Sequence, residues 1–189
     1  FVADLEPNPD GGMQIMYGID GRRDLKETTL DHMSGYAGAR PVRIGNAAVD
    51  QVQHDAYGSV ILAAMPMFFD RRLPRPGDEG LFHLLESLGH RAAEKAFMPD
   101  AGIWEYRGRS HVHTYSAAMC WAGCSRLAAI ASHLGLHDRA AYWAATSNDI
   151  QNTLLEQAWS EKRGSFTAGF GLDDLDAARR RFANLRPTA

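Results

Sequence analysis

The stretch 114-TYSAAMCWAGCSRLAAIASHLGLHDRAAYWAATSNDIQNTLLEQAW-159 decides the fold. It reads as two long helices, 114–134 and 138–159, separated by a short link that contains Gly135. A link that short makes the two helices antiparallel neighbours. Upstream, Val49, Val52, Ala56, Val60 and Ala63/Ala64 recur at spacings of three and four. That pattern predicts a helix over 47–65, with Asn46 as its N-cap and Pro66 at its end. Leu81, Leu84, Leu85, Leu88 and Ala92 form the apolar stripe of another helix over 79–97. These segments of about 20 residues exceed the usual globular helix.

Strand signals are few. Residues 13–17 read as a short strand entering a turn at Gly18 and Gly21. Residues 34–46 read as a loop or short strand, and 165–170 as a strand. Residues 173–185 read as a last helix capped by Asp173 or Asp174. No motif repeats at a fixed period. The predicted class is all-α: paired antiparallel helices stacked as an α/α solenoid or toroid, with short strands in the loops. The long loops gather at one end of such a scaffold and carry function.

The 189 residues suit one domain or a piece of a larger one. Lys+Arg number 20 against 23 Asp+Glu, so the net charge of -3 argues against nucleic acid as a partner. No apolar run approaches the roughly 20 residues of a membrane span. The two cysteines, Cys120 and Cys124, lie four apart and suit one helix face better than a disulfide. A reducing, cytoplasmic location is the expectation. Residue 1 is Phe, and no basic segment followed by an apolar one comes after it. The expectation is therefore a chain without a signal peptide, cut from something longer.

Among motifs, Gly102-Ile103-Trp104-Glu105-Tyr106-Arg107 places a carboxylate between two aromatics in a turn-rich loop. Aromatic faces exclude water, desolvation raises a carboxyl pKa, and a raised pKa suits a general acid. Trp and Tyr also offer stacking faces to sugar rings. The plainer alternative is a Trp anchoring a loop beside a solvated Glu. Arg40-Pro41-Val42-Arg43 puts two arginines near Gly35, Gly38, Gly45 and Asn46. Arg43 could bind hydroxyls or hold a carboxylate, or simply tie the loop to a helix end. Tyr17-Gly18-Ile19-Asp20-Gly21 offers Asp20 to sugar hydroxyls or to turn chemistry. His111 and His113 read as loop packing rather than a metal site, and no zinc spacing, phosphate loop, GxGxxG or GxSxG occurs.

Three stretches together resemble glycoside hydrolase family 15, the glucoamylase-like family, in its bacterial form. They are MQIMYGIDGRRDLKETTLDHMSGYAGARPVRIGNAAVDQVQHDAYG at 13–58, PDAGIWEYRG at 99–108 and TYSAAMCWAGCSRL at 114–127. SFTAGFGLDDLDA at 165–177 is similar but less specific. The family holds glucoamylases, glucodextranases and some trehalases on an (α/α)6 toroid. The resemblance implies that 1–189 is the central part of one such catalytic domain, incomplete at both ends. It implies an inverting α-glycosidase, in which one carboxylic acid protonates the leaving oxygen and another activates water.

The family's acid lies in a Trp-Glu motif, which Trp104-Glu105 matches. Glu105 is then the general acid and Trp104 lines the sugar site. Arg40, Arg43, Tyr17 and Asp20 join the substrate-binding set. So does Tyr106, which stands where fungal members carry a second Glu. The general base falls C-terminal to this chain, and an aromatic Arg-Asp motif falls upstream of it. After Asp176 the sequence departs from the family pattern into Ala177-Ala178-Arg179-Arg180-Arg181. An α-glucan oligosaccharide or trehalose is the implied substrate, no cofactor is implied, and the isolated chain is expected to be inactive. The competing expectations are a non-catalytic sugar-binding remnant and a helical scaffold.

Overall fold

A computed structural model describes residues 13–105 and 108–173. The chain divides between Val52 and Gln53 into two compact units.

The N-terminal unit is mostly irregular. Strand β1 (Thr28–Thr29) pairs antiparallel with β2 (Arg43–Ile44), with Thr28 opposite Ile44 and Thr29 opposite Arg43. The Leu30 N–H donates to the Val42 carbonyl and extends the ladder. Gly45 follows at φ 76, where an added Cβ would meet the Lys26 carbonyl oxygen at 2.2 Å, so the close return of the chain requires glycine. Asn46 caps the next turn, as its side chain accepts from the Ala48 N–H. That turn is a 3-10 helix, Ala47–Asp50, rather than the start of a long α-helix. Residues 13–17 form no strand, and the expectation for them is corrected to irregular backbone. Their backbone is held by side chains instead: the Gln14 amide nitrogen donates to the Met16 and Arg23 carbonyls.

The second unit is helical. Helix α1 spans Asp55–Ala64, α2 Pro66–Phe69, α3 Glu79–Lys95, α4 Thr114–His133 and α5 His137–Ala158. The helix expected over 47–65 therefore begins only at Asp55, because Gln51 turns extended after the 3-10 turn and 51–53 carry no regular secondary structure. The segment does end at Pro66 as expected, with α1 closing at Ala64 and Met65, and Pro66 then opens α2, since a first-turn proline loses no hydrogen bond. Asp78 caps α3 by accepting from the Leu81 N–H. The expected strand over 165–170 shrinks to β4 (Ser165–Phe166), which pairs with β3 (Trp159–Ser160). The helix expected over 173–185 lies outside the described residues except for Asp173. The class is all-α with only short strands, as the sequence predicted.

Helix α4 is the axis of this unit. It packs against α1, α3 and α5 and is buried on most of its circumference. Three neighbours fit around one helix because its facing residues are small: Ala117, Ala118, Cys120, Ala122, Gly123 and Cys124. At the crossing with α1, a Cβ on Gly58 would lie 2.0 Å from the Met119 carbonyl oxygen. A Cβ on Gly123 would lie 3.0 Å from the Gly58 Cα. Gly89 of α3 plays the same part, with Leu127 and Trp143 where its side chain would be. Toward α5, the core of Tyr115, Met119, Leu154, Ala158 and Phe166 closes over the β3–β4 hairpin.

One buried carboxylate ties α3 to α5. Glu86 Oε1 accepts from Arg139 Nε at 2.6 Å and Trp143 Nε1 at 2.8 Å. Burial alone raises its pKa, but the hydrogen bonds from Trp143, Arg139 and His83 outweigh it and the net shift is downward. Its stabilisation is therefore present above the ordinary Glu range and lost as pH falls through the lowered value.

The Gly58 contact is a test of the packing. Gly58→Ala must push α1 off the α4 backbone, and it is expected to destabilise the protein by about 2–3 kcal/mol. Ala at Gly135, where an added Cβ meets nothing, is limited to the strain of φ 76. Urea unfolding of both variants checks this. An unchanged midpoint for Gly58→Ala would sink the close-packing account.

Candidate functional site

The Trp104-Glu105 segment sits on a turn between α3 and α4. The turn opens at Gly102 (φ 65), and the Glu105 N–H donates back to the Gly102 carbonyl at 3.0 Å. Glu105 itself takes φ 53, in the left-handed region that non-glycine residues rarely adopt. Trp104 is 64% exposed and Glu105 is exposed with it. The water-excluding enclosure expected from the flanking aromatics is thus corrected on the Trp104 side. Tyr106 and Arg107 lie outside the described residues.

Beneath the turn is a buried acid. Asp100 is 1% exposed, and its carboxylate accepts three hydrogen bonds. Oδ1 accepts from the Gly102 N–H at 3.1 Å. Oδ2 accepts from the His54 N–H at 2.8 Å and the Ser116 hydroxyl at 2.7 Å. Its own N–H and carbonyl exchange hydrogen bonds with His111 in an antiparallel bridge. The base of the loop is therefore fastened to the start of α1, the first turn of α4 and its own returning strand.

His111 and His113 serve that frame, as loop packing predicts. His111 Nε2 lies 2.8 Å from the Phe170 carbonyl, so it carries the proton and donates. The two rings are 6.1 Å apart, and His113 fills the space where a Gly102 side chain would be. Among the described residues no His, Cys, Asp or Glu group is placed to hold a metal ion.

Two further titratable groups lie beside Asp100. Burial, and then the Asp100 charge, push the Asp55 carboxyl up to about 6. Its Oδ1 is buried without a hydrogen-bond partner among the described residues, as is His54 Nδ1. Burial lowers the His54 pKa against the pull of Asp100. Cys120 and Cys124 are free, buried thiols on α4. Burial pushes Cys124 up to about 12 and Cys120 higher still, so both are inert core groups.

The other predicted site residues belong to the N-terminal unit. Arg43 Nε lies 3.2 Å from Glu27 Oε1, which gives it the carboxylate partner that its sequence context suggested. Arg40 Nε donates to the Ser34 carbonyl at 3.4 Å. Asp20 Oδ1 accepts from the Arg22 N–H at 3.2 Å, which is the turn chemistry expected of it. The Tyr17 hydroxyl accepts from the Gln14 N–H at 3.1 Å. A cleft of about 470 Å³ in this unit is lined by Gln14, Arg23, Asp24, Lys26, Asp50 and Gln51, among others, and by none of the four predicted sugar contacts.

Sequence reasoning missed Asp100, His54 and Ser116. One signal was readable: an Asp two residues before Gly102 is placed to accept from that backbone N–H. The other two donors, 46 and 16 residues away, carry no local signature.

Comparison with known proteins agrees with the family resemblance. The sequence model of the glycosyl hydrolases family 15 matches residues 2–186. The match continues past Arg179–Arg181, where the sequence reading had placed a departure from the family. The chain is 37% identical over 181 residues to a trehalase of Mycobacterium tuberculosis (strain ATCC 25618 / H37Rv), covering 94% of this chain and 26% of the relative. It is 35% identical over 181 residues to a trehalase of Mycolicibacterium smegmatis (strain ATCC 700084 / mc(2)155), with the same coverage. It is 33% identical over 169 residues to a trehalase of Thermoplasma volcanium (strain ATCC 51530 / DSM 4299 / JCM 9571 / NBRC 15438 / GSS1), covering 89% of this chain and 26% of the relative. The chain thus spans about a quarter of the length of these relatives. No solved structure matches it significantly.

Asp55 gives a pH test. A raised carboxyl pKa means that its stabilising contribution is full below the ordinary value of 3.8 and is lost as pH rises through about 6. Asp55→Asn imitates the neutral acid and lacks that loss. Its stability relative to the native sequence is expected to improve by up to about 3 kcal/mol between pH 4 and pH 8. Chemical denaturation at the two pH values measures it, and a difference that does not change with pH would refute the assignment.

Proposed function

The chain belongs to glycosyl hydrolases family 15, and on that premise we propose that it is the acid-bearing part of an inverting trehalase. Trehalose is the substrate and Glu105 the general acid. The observation that carries this reading is the strained turn: a glutamate held at φ 53 beside an exposed Trp, over a buried, fully bonded base. Residues kept in sparsely populated backbone regions cluster at functional sites, because only a rigid surround sustains them. The trehalase names of the relatives favour trehalose over maltose- or isomaltose-type substrates.

Trehalose joins two glucose units through one oxygen between two anomeric carbons, both of α configuration. Glu105 protonates that oxygen as the bond to one anomeric carbon breaks. Water, deprotonated by a second carboxylate from outside these residues, attacks the same carbon from the opposite face. The two carboxyls are then roughly 6.5–9.5 Å apart, which leaves room for the water. The attacked sugar departs as β-glucose and the other as α-glucose. Trp104 supplies an apolar face for sugar stacking, and Arg40, Arg43, Tyr17, Asp20 and Tyr106 are each assigned polar contacts to substrate hydroxyls.

The chemistry requires no cofactor, and neither nucleic acid nor membrane enters it. Among the described residues no helix is long and apolar enough to cross a membrane. Two buried free thiols suit a reducing compartment, and we place the protein in the cytoplasm on that ground. The (α/α)6 toroid, with 1–189 as a segment of one such catalytic domain, is part of the same proposal.

In the full-length protein, Glu105→Gln is expected to lower trehalose turnover by about 10²–10⁴-fold. Proton NMR during early turnover of the native protein is expected to show α- and β-glucose in equal amounts. Two α-glucose molecules per trehalose would exclude inversion. Full activity of Glu105→Gln would exclude Glu105 as the acid. Binding of trehalose without hydrolysis would favour the non-catalytic reading.

A further inference from the structure

We propose that Asp100 is a positioning residue that holds Glu105 in its working geometry, a proposal that rests on the reading of Glu105 as the acid. The path is short and each step is a hydrogen bond. Asp100 Oδ1 accepts from the Gly102 N–H, and the Gly102 carbonyl accepts from the Glu105 N–H. Glu105 is thus two bonds removed from a buried carboxylate whose other oxygen is anchored on two helix starts, through His54 and Ser116. His113 closes the far side, because its ring occupies the place of a Gly102 side chain.

The chemistry of the group is specific. Three donors converge on Asp100, and an ionised carboxylate is the side chain that accepts all three and donates nothing. An amide in its place turns an NH2 toward one of those donors, and the buried clash has no water to relieve it. The weak point lies at Gly102 or at the His54–Ser116 pair, according to which way the amide faces. Either way, one end of the tether is released. A turn that holds a glutamate in the left-handed region relaxes when its support loosens, and small displacements of a catalytic group are costly.

A residue that acts only through Glu105 has a signature that a general structural role lacks. Asp100→Asn in the full-length protein is expected to lower kcat for trehalose by about 10²-fold per folded molecule. The KM is expected to stay within about twofold, because the bonds involve no substrate contact. Ser116→Ala, which leaves two of the three bonds, is expected to show a smaller loss in kcat and folds even where Asp100→Asn does not. In a Glu105→Gln background neither substitution is expected to lower the residual rate further, since the group they position is already gone.

Kinetics of the single and double variants, with thermal unfolding to count folded molecules, decide the matter. Losses that multiply in the Glu105→Gln background would overturn the proposal, as would an unchanged kcat in both single variants with a lowered midpoint. Glu105→Gln with native activity is a different failure. It removes the acid assignment itself, and with it the proposal, whatever Asp100 does.

Discussion

A helix surrounded on three sides must present almost nothing on those sides. That constraint governs the helical unit. Two α-helices with ordinary side chains pack at 8–10 Å, and α4 meets α1 with Gly58 over the Met119 backbone, where an added methyl would sit 2.0 Å from a carbonyl oxygen. The alanine-, glycine- and cysteine-rich text of 117–124 exists to permit this. The cysteines fit the same logic: Cys120 turns its sulfur to the His54 carbonyl at 3.4 Å and spends its polarity there. Larger residues would push α1 away, and the start of α1 would leave Asp100.

That consequence connects the packing to the site. The His54 N–H that Asp100 accepts lies immediately before α1, and Ser116 lies in the first turn of α4. The positive ends of two helix dipoles therefore point toward the region that holds Asp100 and Asp55. Two acids within one buried neighbourhood are tolerated for different reasons. Asp100 is satisfied by three donors. Asp55 leaves one oxygen unpartnered among the described residues, and burial, with the Asp100 charge beside it, makes it hold its proton to higher pH.

The long helices α3, α4 and α5 were legible because amphipathic or small-residue periodicity over about 20 residues averages out local ambiguity. The segment 47–65 was not. Apolar spacing there is continuous, but Asn46 caps only a 3-10 turn and 51–53 carry no regular secondary structure before α1 begins. Spacing alone cannot locate a break in the backbone within a continuous apolar pattern. The Trp104-Glu105 motif was legible as a motif, and its exposure was not, since burial depends on what the rest of the fold places around it. Asp100 was half legible. Its bond to Gly102 is local turn chemistry, whereas its bonds to His54 and Ser116 arise only when helices far apart in sequence meet.

The arrangement separates two demands that conflict in a single side chain. A group that exchanges protons with a substrate needs access, and a group that fixes geometry needs enclosure. Glu105 is exposed and sits on a strained backbone. Asp100 is enclosed and bonded on both oxygens. Glu86 repeats the enclosed pattern between α3 and α5, where Arg139 and Trp143 meet its charge and no substrate chemistry is in question. A carboxylate buried with enough donors thus becomes a joint in this fold, and the proposed acid stands on a turn that such a joint supports. On the proposed reading, the strain at Glu105 is sustained because the joint beneath it is anchored on helices that α4 already holds together.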